Sequence, residues 1–272
     1  MFRGMNVLFA CYIAFLLQLS VFQTCHSSNI TAHCAPSCGN IRNISYPFRL
    51  DTDPQSCGNN SYTLICENNI STVLYLYSGK YYVQAINYGN YTIRVVDAGV
   101  QGNCCSIPLY SLASDNFSAG DPYTWYNYKE VPSPEVSDGF LYYQGYYQGY
   151  WLPSLSQPML FMSCENTVNS PLYVDTAPYV LNYGSGNYSN SSLVTRSNYV
   201  ALGGMNASDL MELCSIEKIF FLPKKNYTDK SFEEIHSDLA NGFELSWYNI
   251  KCGKCRGGCY LDSAGRSRCI GM

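Results

Sequence analysis

Two pairs of carboxylates, two histidines and four clustered cysteines are the residues whose types and spacing come nearest to catalytic or metal chemistry. Glycoside hydrolysis needs two carboxyl groups held about 5 to 10 Å apart across the scissile bond. Asp51 with Asp53, or Glu130 with Glu135, meets only the requirement of proximity. Both pairs lie in Pro- or Asn-rich segments, where acidic side chains act as turn formers. A Ser-His-Asp arrangement needs a histidine, and beyond the first 27 residues the chain has only His33, beside a cysteine, and His236, in a helical pattern. Cys252-x-x-Cys255 with Cys259 and Cys269 suggests zinc, but nine residues rather than two separate the second pair. No Gly-rich phosphate loop precedes a helix, and nothing matches a kinase Gly-rich loop with its lysine. The expectation is a chain without catalytic residues, metal or cofactor.

The elements that must position any site are set first by compartment. An n-region with Arg3, an apolar stretch over residues 7–22 and a polar exit at Gln23-Thr24 read as a secretory signal. Cys25 and Ser27 stand at the −3 and −1 positions of a cleavage site, so residues 1–27 are expected to be removed, with an uncleaved anchor as the alternative. Cleavage would discard Cys11 and Cys25 and leave an even dozen: Cys34, Cys38, Cys57, Cys66, Cys104, Cys105, Cys164, Cys214, Cys252, Cys255, Cys259 and Cys269. An even count behind an export signal reads as a disulfide framework, because exported thiols are oxidised. Adjacent Cys104 and Cys105 are expected to bond to two separate partners. Twelve cysteines allow roughly ten thousand pairings, and spacing alone does not choose among them. Ten Asn-x-Ser/Thr sequons, at Asn29, Asn43, Asn59, Asn69, Asn90, Asn116, Asn187, Asn190, Asn206 and Asn226, predict a heavily glycosylated surface in the same compartment.

Charged residues make up 13% of the chain and aromatics 15%, with 26 tyrosines. Neither half has the basic excess of a nucleic-acid binder, which excludes that partner class. Residues 61–97 read as a β-meander of four runs rich in β-branched and aromatic residues, broken at Glu67-Asn68-Asn69, Ser78-Gly79 and Asn87-Tyr88-Gly89-Asn90. Residues 121–158 carry five prolines and a Gly/Tyr/Gln repeat around Tyr142 to Trp151, and are read as a connection rather than a packed strand. Those tyrosines can also be read as a platform for sugar rings. Residues 159–164 and 218–222 predict strands, and residues 206–213 a short helix. Ser231-Phe232-Glu233-Glu234 is a capping box opening a helix that Gly242 ends. The fold class predicted is mainly β and disulfide-rich: two small cysteine-pinned modules, with one or two short helices in the C-terminal one. The boundaries expected are 30–105, a connector over 106–158, and 159–272.

The run Cys34-Ala35-Pro36-Ser37-Cys38-Gly39-Asn40-Ile41-Arg42-Asn43-Ile44-Ser45-Tyr46-Pro47-Phe48 resembles the opening of the galacturonan-binding domain of plant wall-associated receptor kinases. Cys57-Gly58, Leu64-Ile65-Cys66, Tyr81-x-Val83-x-x-Ile86 and Ile93-x-Val95-x-Asp97 follow in the order and spacing of that family. Phe161-Met162-Ser163-Cys164, residues 210–214 and Gly242-Phe243-Glu244-Leu245 resemble the second half of the ectodomain in its rust-resistance, Lr10-like branch. Cys252-Gly253-Lys254-Cys255, Gly257-Gly258-Cys259 and Cys269 resemble that family's C-terminal domain. The resemblance implies a non-catalytic extracellular module that binds pectin-like cell-wall polysaccharide, secreted or at the cell surface. Tyr46, Phe48, Arg49, Lys80 and Arg94 are its expected ligand contacts. Recognition of a co-receptor, protein or peptide in plant defence is the alternative. Full-length relatives continue into a single membrane-spanning helix and a serine/threonine kinase; this sequence stops at Met272, so a secreted ectodomain-only member or a truncated receptor is expected. The N-terminal module offers only Arg42, Arg49, Lys80 and Arg94, with Lys129 on the connector, for a polyanion, and so few exposed cations bind one weakly at physiological salt.

Overall fold

The computed structural model describes residues 33–100, 106–118, 120–126, 146–147, 150–151, 154–177, 196–203, 205–227, 231–253, 255, 259–261 and 266–269. The first 27 residues, Asn29, Asn187, Asn190, Cys104, Cys105, Lys129, Glu130, Glu135 and the side chains of residues 142–151 lie outside the described set. Among the described residues no helix is long and apolar enough to cross a membrane.

The meander forms as its runs of β-branched and aromatic residues dictate. Strands β1 (Arg49–Leu50), β2 (Thr63–Glu67), β3 (Ser71–Leu76), β4 (Gly79–Asn87) and β5 (Thr92–Asp97) lie side by side in chain order. The pairing is parallel between β1 and β2 and antiparallel from there on. Turns fall where asparagine and glycine were expected: Asn68 and Asn69 adopt positive φ between β2 and β3, and Tyr77 does so just before Gly79. Gly39, at φ +53°, closes the Cys38–Ile41 turn so tightly that a Cβ would lie 1.8 Å from the Ile70 carbonyl oxygen. Period-2 alternation then sorts the side chains. Leu64, Leu74, Leu76, Tyr81, Ile93 and Val95 join Phe48 in the inner core, while Tyr75, Lys80, Tyr82 and Arg94 take the outer face.

The sheet's sixth strand comes from far along the chain. After β6 (Tyr146–Tyr147) and β7 (Tyr150–Trp151), whose backbones pair as a two-residue ladder within the expected connection, come β8 (Ser156–Cys164), β9 (Tyr173–Asp175), β10 (Ser197–Leu202) and β11 (Cys214–Pro223). The last four make a second antiparallel sheet in the order β11-β8-β10-β9. Helix α1 (Phe232–Asn241) follows, and β12 (Phe243–Ser246) then pairs antiparallel with β5. Phe243, Leu245 and Trp247 are 5%, 0% and 2% exposed, within the core built by residues 38–95. The division expected at 106–158 is therefore not a division of the sheets. Residues 106–126 are threaded into both cores, with Leu112 and Tyr123 in the first and Ile107 in the second.

Helix α1 obeys its capping signals. The Ser231 hydroxyl accepts from the Glu234 amide at 3.3 Å, the Ser231 amide donates to Glu234 Oε2 at 3.0 Å, and Gly242 terminates the helix at φ +83°. Gly242 is required there twice over, since a Cβ would lie 2.4 Å from the Val95 carbonyl oxygen. The buried stripe Phe232, Ile235 and Leu239 packs with Val96, Phe161, Val200 and Leu222 in the second core. The helix expected over residues 206–213 is instead a single 3-10 turn at Ala207–Asp209. Leu213 sits at φ 61°, a conformation that ends a right-handed helix and delivers Cys214 into β11.

Covalent crosslinks pin the opening segment and the C-terminal hairpin and staple the second sheet. Cys34–Cys57 and Cys38–Cys66 pin the opening segment, Cys164–Cys214 joins register partners on β8 and β11, and Cys255–Cys269 closes the C-terminal hairpin of β13 (Cys259–Leu261) and β14 (Ser267–Cys269). Cys252 is also oxidised. A zinc site over these cysteines would need thiolates, and the sulfurs of Cys255 and Cys269 are bonded to each other.

Two measurements test this architecture. Leu245→Ala, at a fully buried seam position, is expected to lower stability by about 2–5 kcal/mol in chemical denaturation, and a fragment of residues 34–105 should show no cooperative unfolding transition without β12. His236 is 4% exposed, 3.1 Å from the Ser106 hydroxyl, and burial lowers its pKa from the ordinary 6.5. The unfolded chain therefore takes up the proton first as pH drops. Stability should be highest above 6.5 and decline from there down to the depressed native value. Urea midpoints measured across that window should show a shallower decline for His236→Gln than for the parent chain.

Candidate ligand-binding face

The five expected contact residues part company in the structure. Phe48 is 1% exposed and lies edge-on to Tyr62, Tyr88 and Trp247 at centroid distances of 5.8, 6.1 and 5.3 Å. Arg49 is 9% exposed. Its guanidinium reaches the Asp53 carbonyl, the Asp51 carbonyl at 3.4 Å and the Thr63 hydroxyl at 3.2 Å. Both side chains hold the opening segment onto the sheet and leave the set of surface contacts. Tyr46 is 65% exposed. Its loop is fixed by the Tyr88 hydroxyl, which accepts from the Ser45 amide at 2.8 Å and donates towards the Asn43 and Ser45 carbonyls. Tyr46 therefore stands by the β4–β5 turn.

Lys80 and Arg94 share the outer face of the meander. Ala98, opposite Lys80, is four residues from Arg94, which at strand rise separates the two along β5 by about 13 Å. Tyr75 is the register partner of Lys80 on β3 and is 54% exposed. Lys80 Nζ lies 5.3 Å from the ring centroid of Tyr82, one residue-pair further along the same face. Val73, fully buried, pairs with Tyr82 and floors the patch. A solvent-facing aromatic next to a cation held over a second ring is an arrangement suited to a sugar. The ring face stacks, and the ammonium donates to oxygens at its rim. Val96, opposite Tyr82 on β5, belongs to the core beneath α1 and bounds the patch on that side.

The electrostatics are tighter than the count of cations suggests. Glu67 Oε2 accepts from Lys80 Nζ at 2.7 Å, with the two side chains 24% and 31% exposed. That hydrogen bond is the main cause that holds the Lys80 ammonium above its ordinary pKa, with Tyr82 and Tyr75 adding to it. Arg94 is exposed, and its register partner on β12 is Glu244. Tyr75, Tyr82 and Glu67 were not singled out in the sequence. The cue was there in the alternation Leu74-Tyr75-Leu76, but it acquires meaning only once β3 and β4 are in register.

Asp53, one of the nominated acids, and Asp97 of the family motif both have structural work. Asp53, 7% exposed, accepts from the Ala35 and Leu50 amides at 2.9 Å each. Asp97, 5% exposed, accepts from the Gly99, Leu109 and Tyr110 amides at 2.7, 2.8 and 3.1 Å, which fastens the irregular chain after β5 to the sheet. Among the described residues no group of three or more His, Cys, Asp or Glu side chains is placed to hold a metal ion.

Residues 34–97 match the family described as wall-associated receptor kinase galacturonan-binding. Over 171 residues, 58% of this chain, the sequence is 29% identical to the leaf rust 10 disease-resistance locus receptor-like protein kinase-like 2.8 of Arabidopsis thaliana. The chain spans 18% of the length of that relative. No solved structure matches. Every stretch of residues 34–97, from the Cys34–Cys57 and Cys38–Cys66 staples to the buried Asp97, is ordered around one sheet. That segment is similar to the wall-associated receptor kinase galacturonan-binding family over its whole matched length.

Proposed function

We propose that the chain is the extracellular binding portion, or a secreted relative, of a plant receptor-like kinase, and that it holds pectin-like cell-wall polysaccharide on the outer face of the first sheet. The observation that carries this reading is coincidence. The segment that matches a galacturonan-binding family is the segment that builds the open face with Tyr75, Lys80 and Tyr82. The polymer would lie along β4, one ring stacked on Tyr75, its oxygens accepting from Lys80, and a further residue reaching Arg94. Each contact is weak and the polymer repeats, so several rings engaging in parallel raise the overall affinity.

Export and glycosylation fit the same reading. Asn43, Asn69, Asn90, Asn116, Asn206 and Asn226 are exposed, and Asn59 is half-buried with its side chain accepting from the Ser61 amide. None of these seven is on the outer-face rows of β3 and β4 that carry Tyr75, Lys80 and Tyr82. The C-terminal cysteine hairpin is assigned to the C-terminal domain type of the same receptor family, as a crosslinked segment following β12.

Isothermal titration of the whole glycosylated chain against galacturonan oligomers, with neutral glucans as controls, tests the proposal. Binding is expected for the galacturonan series. Tyr75→Ala should weaken it about tenfold, equivalent to about 1.4 kcal/mol, with the melting temperature unchanged because Tyr75 is exposed. Absence of heat with every wall polymer would overturn the reading.

A further inference from the structure

The charges of the matched segment do not suit a dense polyanion. Residues 34–97 contain four cations, Arg42, Arg49, Lys80 and Arg94, against four anions, Asp51, Asp53, Glu67 and Asp97. Arg49 is buried against backbone carbonyls, and Lys80 is held by Glu67 at 2.7 Å. Asp53 and Asp97 are buried on backbone amides. At the surface this leaves Arg42 and Arg94 as exposed cations, opposed by the exposed Asp51, with Glu244 in register with Arg94.

Resting on the function proposed above, we infer that this face selects galacturonan whose carboxyl groups are esterified, and that Glu67 is the residue that sets the selection. A free uronate approaching Lys80 meets the Glu67 carboxylate already in place. It must either displace a 2.7 Å charge-assisted hydrogen bond or accept repulsion from a like charge a few ångströms away. Esterification removes that conflict. The ester carbonyl still accepts a hydrogen bond from the Lys80 ammonium, which has three donors and gives one to Glu67. The ring face remains free to stack on Tyr75, which at 54% exposed offers its area without rearrangement. Binding driven by stacking and neutral acceptors changes little with salt, whereas binding by paired charges is screened.

The test titrates the whole chain with two galacturonan oligomers of equal length, one fully methyl-esterified and one fully de-esterified, at low and high sodium chloride. The parent chain is expected to bind the esterified oligomer at least ~5-fold more tightly, a margin of about 1 kcal/mol, with little change between salts. Glu67→Gln, which keeps the side chain's size and a hydrogen-bond acceptor for Lys80, is expected to reverse or erase that preference and to make de-esterified binding salt-sensitive. Tighter binding of the de-esterified oligomer by the parent chain, or equal preference in parent and variant, overturns the inference and leaves the polysaccharide reading standing. Failure to bind either oligomer or any other wall polymer overturns both. The parent chain's preference decides the selection without the variant, so a Glu67→Gln protein that failed to fold would still leave the inference open to refutation.

Discussion

The pairing of β12 with β5 is the contact on which the rest of the molecule depends. Phe243, Leu245 and Ser246 lie opposite Val95, Ile93 and Thr92, so residues about 150 positions apart close one sheet. Without them β5 would present a bare edge and an apolar inner face to water, a condition that natural sheets avoid. Closing it also fixes α1, because Gly242 joins helix to strand against the Val95 backbone. The second core, which contains Val96 from one side of the seam and Ile235 from the other, is assembled by the same contact. Long-range pairing of this kind is slow to form, and the Cys34–Cys57, Cys38–Cys66 and Cys164–Cys214 bridges narrow the unfolded ensemble that must find it.

Ionisable groups, scarce in this chain, are used mainly for construction. Asp97 gathers three amides, Asp53 two, and Arg49 reaches three backbone or side-chain oxygens around the same loop. A buried carboxylate satisfied by backbone N–H groups avoids the penalty of an unpaired charge and pins irregular chain that no ladder holds. Elsewhere Glu165 and Glu217 flank Arg196 on the second sheet's surface. What remains on the outer face is therefore aromatic surface with few free charges.

Local features of the fold were legible without coordinates because they rest on local physics. Strand runs, the Asn and Gly turns of the meander, and the capped helix follow from side-chain shape, positive-φ tolerance and orphan amides, each decided within a few residues. The expectation for residues 206–213 failed for an equally local reason: Leu210 is already extended, at φ −74° and ψ 116°, so the turn stops after Asp209. The bridge partners were beyond spacing. Cys38 meets Cys66 only when the opening segment folds back across β2, where the Thr72 hydroxyl also binds the Cys38 carbonyl at 2.9 Å.

The sequence alone determined the β-rich, crosslinked character of the chain, its meander and the resemblance of residues 34–97 to the galacturonan-binding family, since those are written in periodicity, cysteine count and contiguous motif. Only the tertiary structure decided that β12 completes the first sheet, that Phe48 and Arg49 face inward, and that Tyr75, Lys80, Tyr82 and Glu67 meet on one surface. The physical reason is register. Which face a strand residue occupies, and which neighbour it meets, depends on a partner strand whose position no local pattern encodes.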